Sequence, residues 1–139
     1  MVEILQISDP FLMVDEVVWC PKKRTATGKK EITENEWFYK CHFLDGGVMP
    51  GTLQTEAILQ TTVAACCLDL YTDAKQCLVN KIIMNFTHKI ESRGILTIKS
   101  QIEAEKNGLI CANSTLHFNK TKTATGSIRF LLQGSLGVR

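Results

Sequence analysis

The sequence predicts an α+β domain in which one long buried helix lies against a curved antiparallel sheet. Two features predict it. The segment TLQTEAILQTTVAACCLDLY, residues 52–71, is apolar around most of a helical circumference, and such a helix belongs inside a core. Two β-rich segments precede it and four follow. At 139 residues, the chain suits a single domain spanning 1–139 and is too short for two ordinary ones.

Each element has a local reason. Residues 11–20, FLMVDEVVWC, are β-rich and read as a strand; Pro21 and Lys22-Lys23-Arg24 turn the chain into a second strand over 24–33. ENEWFYK, 34–40, reads as a short helical turn carrying aromatics. The glycines and proline of HFLDGGVMPG argue against regular structure across 45–51. Gly51 and Thr52 suit the N-terminus of the long helix. Four strands are predicted at 77–90, 94–106, 109–119 and 122–133, with turns at Arg93-Gly94, Asn107-Gly108 and Lys120-Thr121. Asn-Gly between β-like runs is the strongest of these signals.

Composition excludes several classes. With 45% hydrophobic and 22% charged residues, the chain is neither disordered nor low-complexity. Its net charge of +2 is too balanced for a dedicated nucleic-acid binder. Glu56, Gln60 and Asp69 argue against a membrane span in the long helix. The six cysteines show no CxxC spacing, so zinc has no evident ligands. They read as free thiols and small core residues of a cytoplasmic protein, with Cys41 set apart by its place beside His42.

Thr52, Glu56 and Gln60 recur every four residues and so form one narrow stripe on the helix. Burying a carboxyl costs several kcal/mol unless partners compensate, so a core gains nothing from such a stripe. It is a candidate for function; the plain alternative is that Glu56 reaches solvent and complements the helix dipole. His42 lies ten residues before Thr52, ahead of the glycine-rich loop. An imidazole can take a proton near neutral pH and a carboxylic acid can give one. The Gly51 N–H, at the positive end of the helix dipole, suits polarising a carbonyl oxygen. His88 and His117 read as ordinary packing.

The stretch HFLDGGVMPGTLQTEAILQ, residues 42–60, resembles the signature of the β-hydroxyacyl-acyl-carrier-protein dehydratases of FabZ type, H-F-P-G-x-P-V-M-P-G-x-L-x-x-E-A-x-A-Q. Upstream, DPFLMVDEV at 9–17 resembles the family's H-x-P-F-L-L-V-D-x-V. The resemblance implies a hot-dog fold, the long helix wrapped by the sheet. It also implies a homodimer joined edge to edge, in some members a trimer of dimers, with the His of one subunit meeting the Glu of the other. His42 would take the α-proton of a (3R)-3-hydroxyacyl thioester, and Glu56 would protonate the leaving 3-hydroxyl to give a trans-2-enoyl product. The Gly51 N–H would hold the thioester carbonyl, and Gln60 would orient the Glu56 carboxyl or the water. Neither step calls for a metal or organic cofactor. The partner would be acyl carrier protein, bringing the substrate on its phosphopantetheine arm. That carrier is acidic, and Lys81, Lys89 and Arg93 are candidates to receive it.

Departures are local. Cys41 replaces the family's Gly before the His, Leu44-Asp45 replaces Pro-Gly, and Gly47 replaces a proline. Downstream, the family's F-[RK]-x-P-V-x-P-G-D becomes Phe86-Thr87-His88-Lys89-Ile90-Glu91-Ser92-Arg93-Gly94, without either proline. These changes suggest a specialised relative. A hot-dog thioesterase and a non-catalytic acyl-binding partner are the competing readings, and retention of His42 with Glu56 favours the dehydratase.

Overall fold

In the computed structural model, residues 1–70, 74 and 77–132 are described. A short helix α1, Val2–Leu5, precedes strands β1, Glu16–Cys20, and β2, Thr25–Ile32. Helix α2 spans Trp37–Cys41 and the long α3 spans Gly51–Leu70. Strands β3, Cys77–Phe86, β4, Gly94–Lys106, β5, Leu109–Phe118, and β6, Thr121–Leu132, complete the order. The six strands form one sheet in the order β1-β2-β4-β5-β6-β3, antiparallel throughout. Helix α3 contacts every strand, so the sheet wraps around it as in the hot-dog arrangement expected from the sequence.

The core follows from two periodicities. On β4, Leu96, Ile98, Ser100 and Ile102 are buried at alternate positions, and on β5 Ile110, Ala112, Ser114, Leu116 and Phe118 are. Along α3 every residue from Ala57 to Cys67 is buried, leaving little solvent face. A fully buried Ile, such as Ile58 or Ile98, contributes roughly 1.5–3 kcal/mol of transfer free energy. The polar groups on this helix are matched: Thr62 Oγ1 lies 2.7 Å from Ser100 Oγ, which lies 2.8 Å from Ser114 Oγ. Where α3 crosses β2, Gly28 allows the close approach. A Cβ there would lie 2.2 Å from Thr61 Oγ1.

Several elements differ from the sequence expectation. Only Glu16–Cys20 of the 11–20 segment is a strand, because the backbone at Phe11 and Met13 bonds the Gln60 side chain instead of a neighbouring strand. The strand expected over 77–90 ends at Phe86; beyond it, Thr87 N–H still reaches Thr123 O, and the chain then bends away through 88–93. The helical turn expected at 34–40 lies at Trp37–Cys41, and Gly51, assigned to the loop, already belongs to α3. The β5–β6 turn is made by Asn119, with φ 55°, and Lys120, one residue earlier than expected. The Asn107-Gly108 turn stands where the sequence puts it, both residues at positive φ. Helix α1 was not expected at all. The predicted helix end at Tyr71 lies outside the described residues. No helix among them is long and apolar enough to cross a membrane.

The cysteines are less uniformly internal than expected. Cys66 and Cys67 are buried in α3, whereas Cys20, Cys77 and Cys111 are half-buried and Cys41 is exposed. Their positions explain this: Cys66 and Cys67 are on the central helix, whereas Cys20, Cys77 and Cys111 are on the sheet and Cys41 ends α2.

Candidate active site

His42 caps the C-terminus of α2. Its N–H donates to Phe38 O at 2.9 Å, and Val48 N–H donates to His42 O at 2.7 Å. The His42–Phe43 peptide is cis, and the two rings stand 3.8 Å apart. His42 Nδ1 lies 2.9 Å from Val48 O. A carbonyl oxygen only accepts, so Nδ1 carries the proton of the neutral ring and Nε2 keeps the lone pair. The half-buried imidazole is therefore aimed by the backbone.

Glu56 sits in the second turn of α3, half-buried. Gln60 Nε2 donates to Glu56 Oε1 at 2.9 Å and to Phe11 O at 2.9 Å, while Gln60 Oε1 accepts from Met13 N–H at 2.7 Å. The buried amide is thus held at both ends, and it holds the Glu56 carboxyl group in turn. The spacing of four between the two residues makes this contact possible. Thr52, the third member of the stripe, is exposed and takes no part.

Glu56 and Gln60 face a cavity of about 440 Å³, otherwise lined by groups such as Leu5, Ile7, Leu59, Val63, Cys77 and Val79. Burial, and to a lesser degree the nearby Glu56 carboxylate, pushes the Cys77 thiol up to about 11, so it is a neutral wall at pH 7. A polar head group over an aliphatic wall fits a ligand with a reactive end and a hydrocarbon tail. A larger hollow of about 550 Å³ lies against the outer sheet face and is lined by short polar side chains, among them Thr25, Asn113 and Ser127. It holds no acid–base pair.

Gly51 opens α3, so its N–H has no acceptor within the helix. Beside it stands the Phe86 ring, 3.1 Å from where a Cβ on Gly51 would lie. No hydrogen bond among the described residues joins His42 to Glu56, and His42 does not line the cavity that Glu56 faces. Within one chain the two candidate residues are not brought together.

The basic candidates are dispersed. Lys81 lies in mid-β3, in register with Arg129. Lys89 is exposed in the connection after β3, and the exposed Arg93 shares its charge with Glu34 at 3.5 Å. His88 is exposed, with Nδ1 3.2 Å from Lys122 O, rather than packed as expected. Sequence reasoning missed Phe11 and Met13, whose backbone fixes Gln60. It also missed Tyr39, whose hydroxyl donates to Ser92 O at 2.7 Å. The aromatic cluster beside His42 was the available signal for Tyr39; nothing in the local pattern marked the backbone of Phe11 and Met13.

Comparison with known proteins identifies the family. A 3-hydroxyacyl-acyl-carrier-protein dehydratase FabZ of Thermoanaerobacter sp. is 28% identical over 138 residues, covering 94% of this chain and 92% of that protein. The FabZ of Clostridium novyi is 45% identical over 58 residues, covering 42% of this chain and 41% of its own length. The dehydratase heterocomplex ApeI:P from Xenorhabdus doucetiae has the same fold, with a TM-score of 0.77 at 12% identity, covering 93% of this chain and 88% of that one. The sequence pattern of the FabA-like domain matches residues 6–127, a span that contains His42 and Glu56, and this chain belongs to that family.

Proposed function

We propose that this chain is a dehydratase that converts (3R)-3-hydroxyacyl groups on acyl carrier protein to trans-2-enoyl groups. The observation that carries the reading is that the chain holds a candidate base and a candidate acid, each fixed by its own hydrogen bonds. His42 is held through Nδ1 with Nε2 available as base, and Glu56 is held by Gln60 at the rim of an aliphatic cavity.

His42 Nε2 takes the proton from C2 of the substrate, and the electron pair moves toward the thioester carbonyl. The Gly51 N–H receives the negative charge on that oxygen as it develops. The pair then returns to form the C2–C3 double bond as the C3–O bond breaks. Glu56 gives its proton to the departing hydroxyl, and water leaves. The site ends with an imidazolium and a carboxylate; solvent then takes the proton from His42 and returns one to Glu56. An elimination needs a base and an acid in opposite protonation states at one pH, which imidazole and carboxylic acid supply together. The products are accounted for by these side chains and the backbone N–H alone.

This reading calls for a homodimer in which a second copy brings its His42 to the Glu56 cavity of the first. Strand β3 ends the sheet and shows apolar side chains to solvent, Leu78 at 62% and Ile83 at 51% exposure. An unpaired apolar edge of this kind is a template for a partner strand. Lys89 offers exposed positive charge to an acidic carrier, whereas Lys81 lies in the middle of the β3 edge that this dimer would cover. Arg93 is the weaker candidate because Glu34 already engages it.

The test follows conjugated enoyl thioester by ultraviolet absorbance with a 3-hydroxyacyl carrier as substrate. His42→Ala and Glu56→Gln are expected to lower kcat by about 10²–10⁴-fold. Turnover untouched by either change would sink the mechanism. Release of free thiol without enoyl product would assign a thioesterase.

A further inference from the structure

The carbonyl that aims His42 belongs to a loop held from behind. Tyr39 lies in α2, three residues before His42. Its ring meets the fully buried Phe38 edge-on at 4.9 Å, and its hydroxyl crosses to the β3–β4 connection to donate to Ser92 O at 2.7 Å. Gly47 packs against the Tyr39 backbone so closely that a Cβ on Gly47 would lie 2.7 Å from Tyr39 O. The next residue is Val48, whose carbonyl fixes His42 Nδ1. A second bond ties the same loop to the same connection, from Met49 N–H to Ile90 O at 2.8 Å.

The β3–β4 connection, residues 87–93, contains no proline. Nothing in its covalent structure restricts φ there, so its position rests on what it bonds. Those bonds include one from the Tyr39 ring and one from the Met49 backbone. Burial, then the Glu36 and Glu91 carboxylates, pushes the Tyr39 phenol up to about 12, so the hydroxyl keeps its proton over the range in which an imidazole works.

We propose that Tyr39 is a positioning residue for His42: it backs Gly47 directly and, by anchoring Ser92, fixes the connection to which Met49 is bonded, and so sets the Val48 carbonyl between them and the angle of the imidazole. This rests on the reading of His42 as the base. Tyr39 does not touch the reacting atoms. Its effect passes through the Val48 carbonyl, and displacements of an ångström in such a group cost up to about a hundredfold in rate.

The test is Tyr39→Phe in the full chain, which removes only the hydroxyl. The expected result is a kcat lower by about ten- to a hundredfold, with KM for the 3-hydroxyacyl carrier within about twofold. The ¹⁵N signals of the His42 ring are expected to change from a single Nδ1–H tautomer to a mixture. Gly47→Ala presses on the Tyr39 backbone from the other side and is expected to disturb the same signals. A Tyr39→Phe protein that keeps wild-type kcat and a single Nδ1–H tautomer overturns the proposal, even if its melting temperature falls. The nitrogen signals decide the matter on the folded protein without any substrate. If wild-type protein turns over no hydroxyacyl carrier, the dehydratase reading fails while this test still stands.

Discussion

Gln60 shows how a single residue joins core and chemistry. Its buried amide spends one face on the backbone of Phe11 and Met13 and the other on the Glu56 carboxylate. Gln60→Leu keeps the volume and removes all three bonds. The Met13 N–H, buried at this contact, is then left without its acceptor, which costs about 1–3 kcal/mol. A lowered urea midpoint with unchanged slope is the expected result, together with a fall in enoyl formation because Glu56 loses its anchor. Stability unchanged from wild type would mean that water or another group replaces the amide. At this scale much was legible in the sequence. His42, Glu56 and Gln60 stand out because carboxyl, amide and imidazole are costly in apolar surroundings, and their spacing marks them. Tyr39 was not legible, since its partner Ser92 lies 53 residues away and is brought near only by the completed sheet.

Among the elements, α3 and the β4–β5 hairpin were the most readable. A long apolar helix has few places to go, and Asn107-Gly108 fixes its turn through local backbone preference. Sheet order was unreadable by the same logic. Strand β3 pairs with β6, the last strand among the described residues, a contact set by the closure of the whole sheet. The crossing of α3 over β2 can be tested directly. Thr61 is fully buried and its hydroxyl is tied to Ala57 O at 2.8 Å, so it cannot swing away from a Cβ placed on Gly28. Gly28→Ala should destabilise the fold by about 1–3 kcal/mol, the usual cost of overpacking. Gly28→Ala combined with Thr61→Ala should recover part of that loss, because the second change removes the colliding atoms. Strict additivity of the two losses in chemical denaturation would refute the contact as the cause.

For the whole molecule, the separation of His42 from the Glu56 cavity is the fact with most consequence. The sheet has an edge that carries apolar side chains exposed to solvent. Here that edge is β3, with Val79, Ile82 and Phe86 exposed beside Leu78 and Ile83. In the proposed homodimer two such edges join in a twofold arrangement, and each subunit supplies its His42 to the other's Glu56 cavity. The proposed sharing can be checked by mixing two inactive proteins. A His42→Ala subunit retains Glu56, and a Glu56→Ala subunit retains His42. In a mixed dimer, one site carries both substitutions and the other carries neither. After subunit exchange at equal amounts, half of the dimers are mixed and each has one intact site. Activity should therefore return to roughly a quarter of wild type. Exchange is verified independently by the appearance of mixed dimers in native mass spectrometry. Mixed dimers without recovered enoyl formation would place both catalytic groups in one subunit and end the shared-site reading.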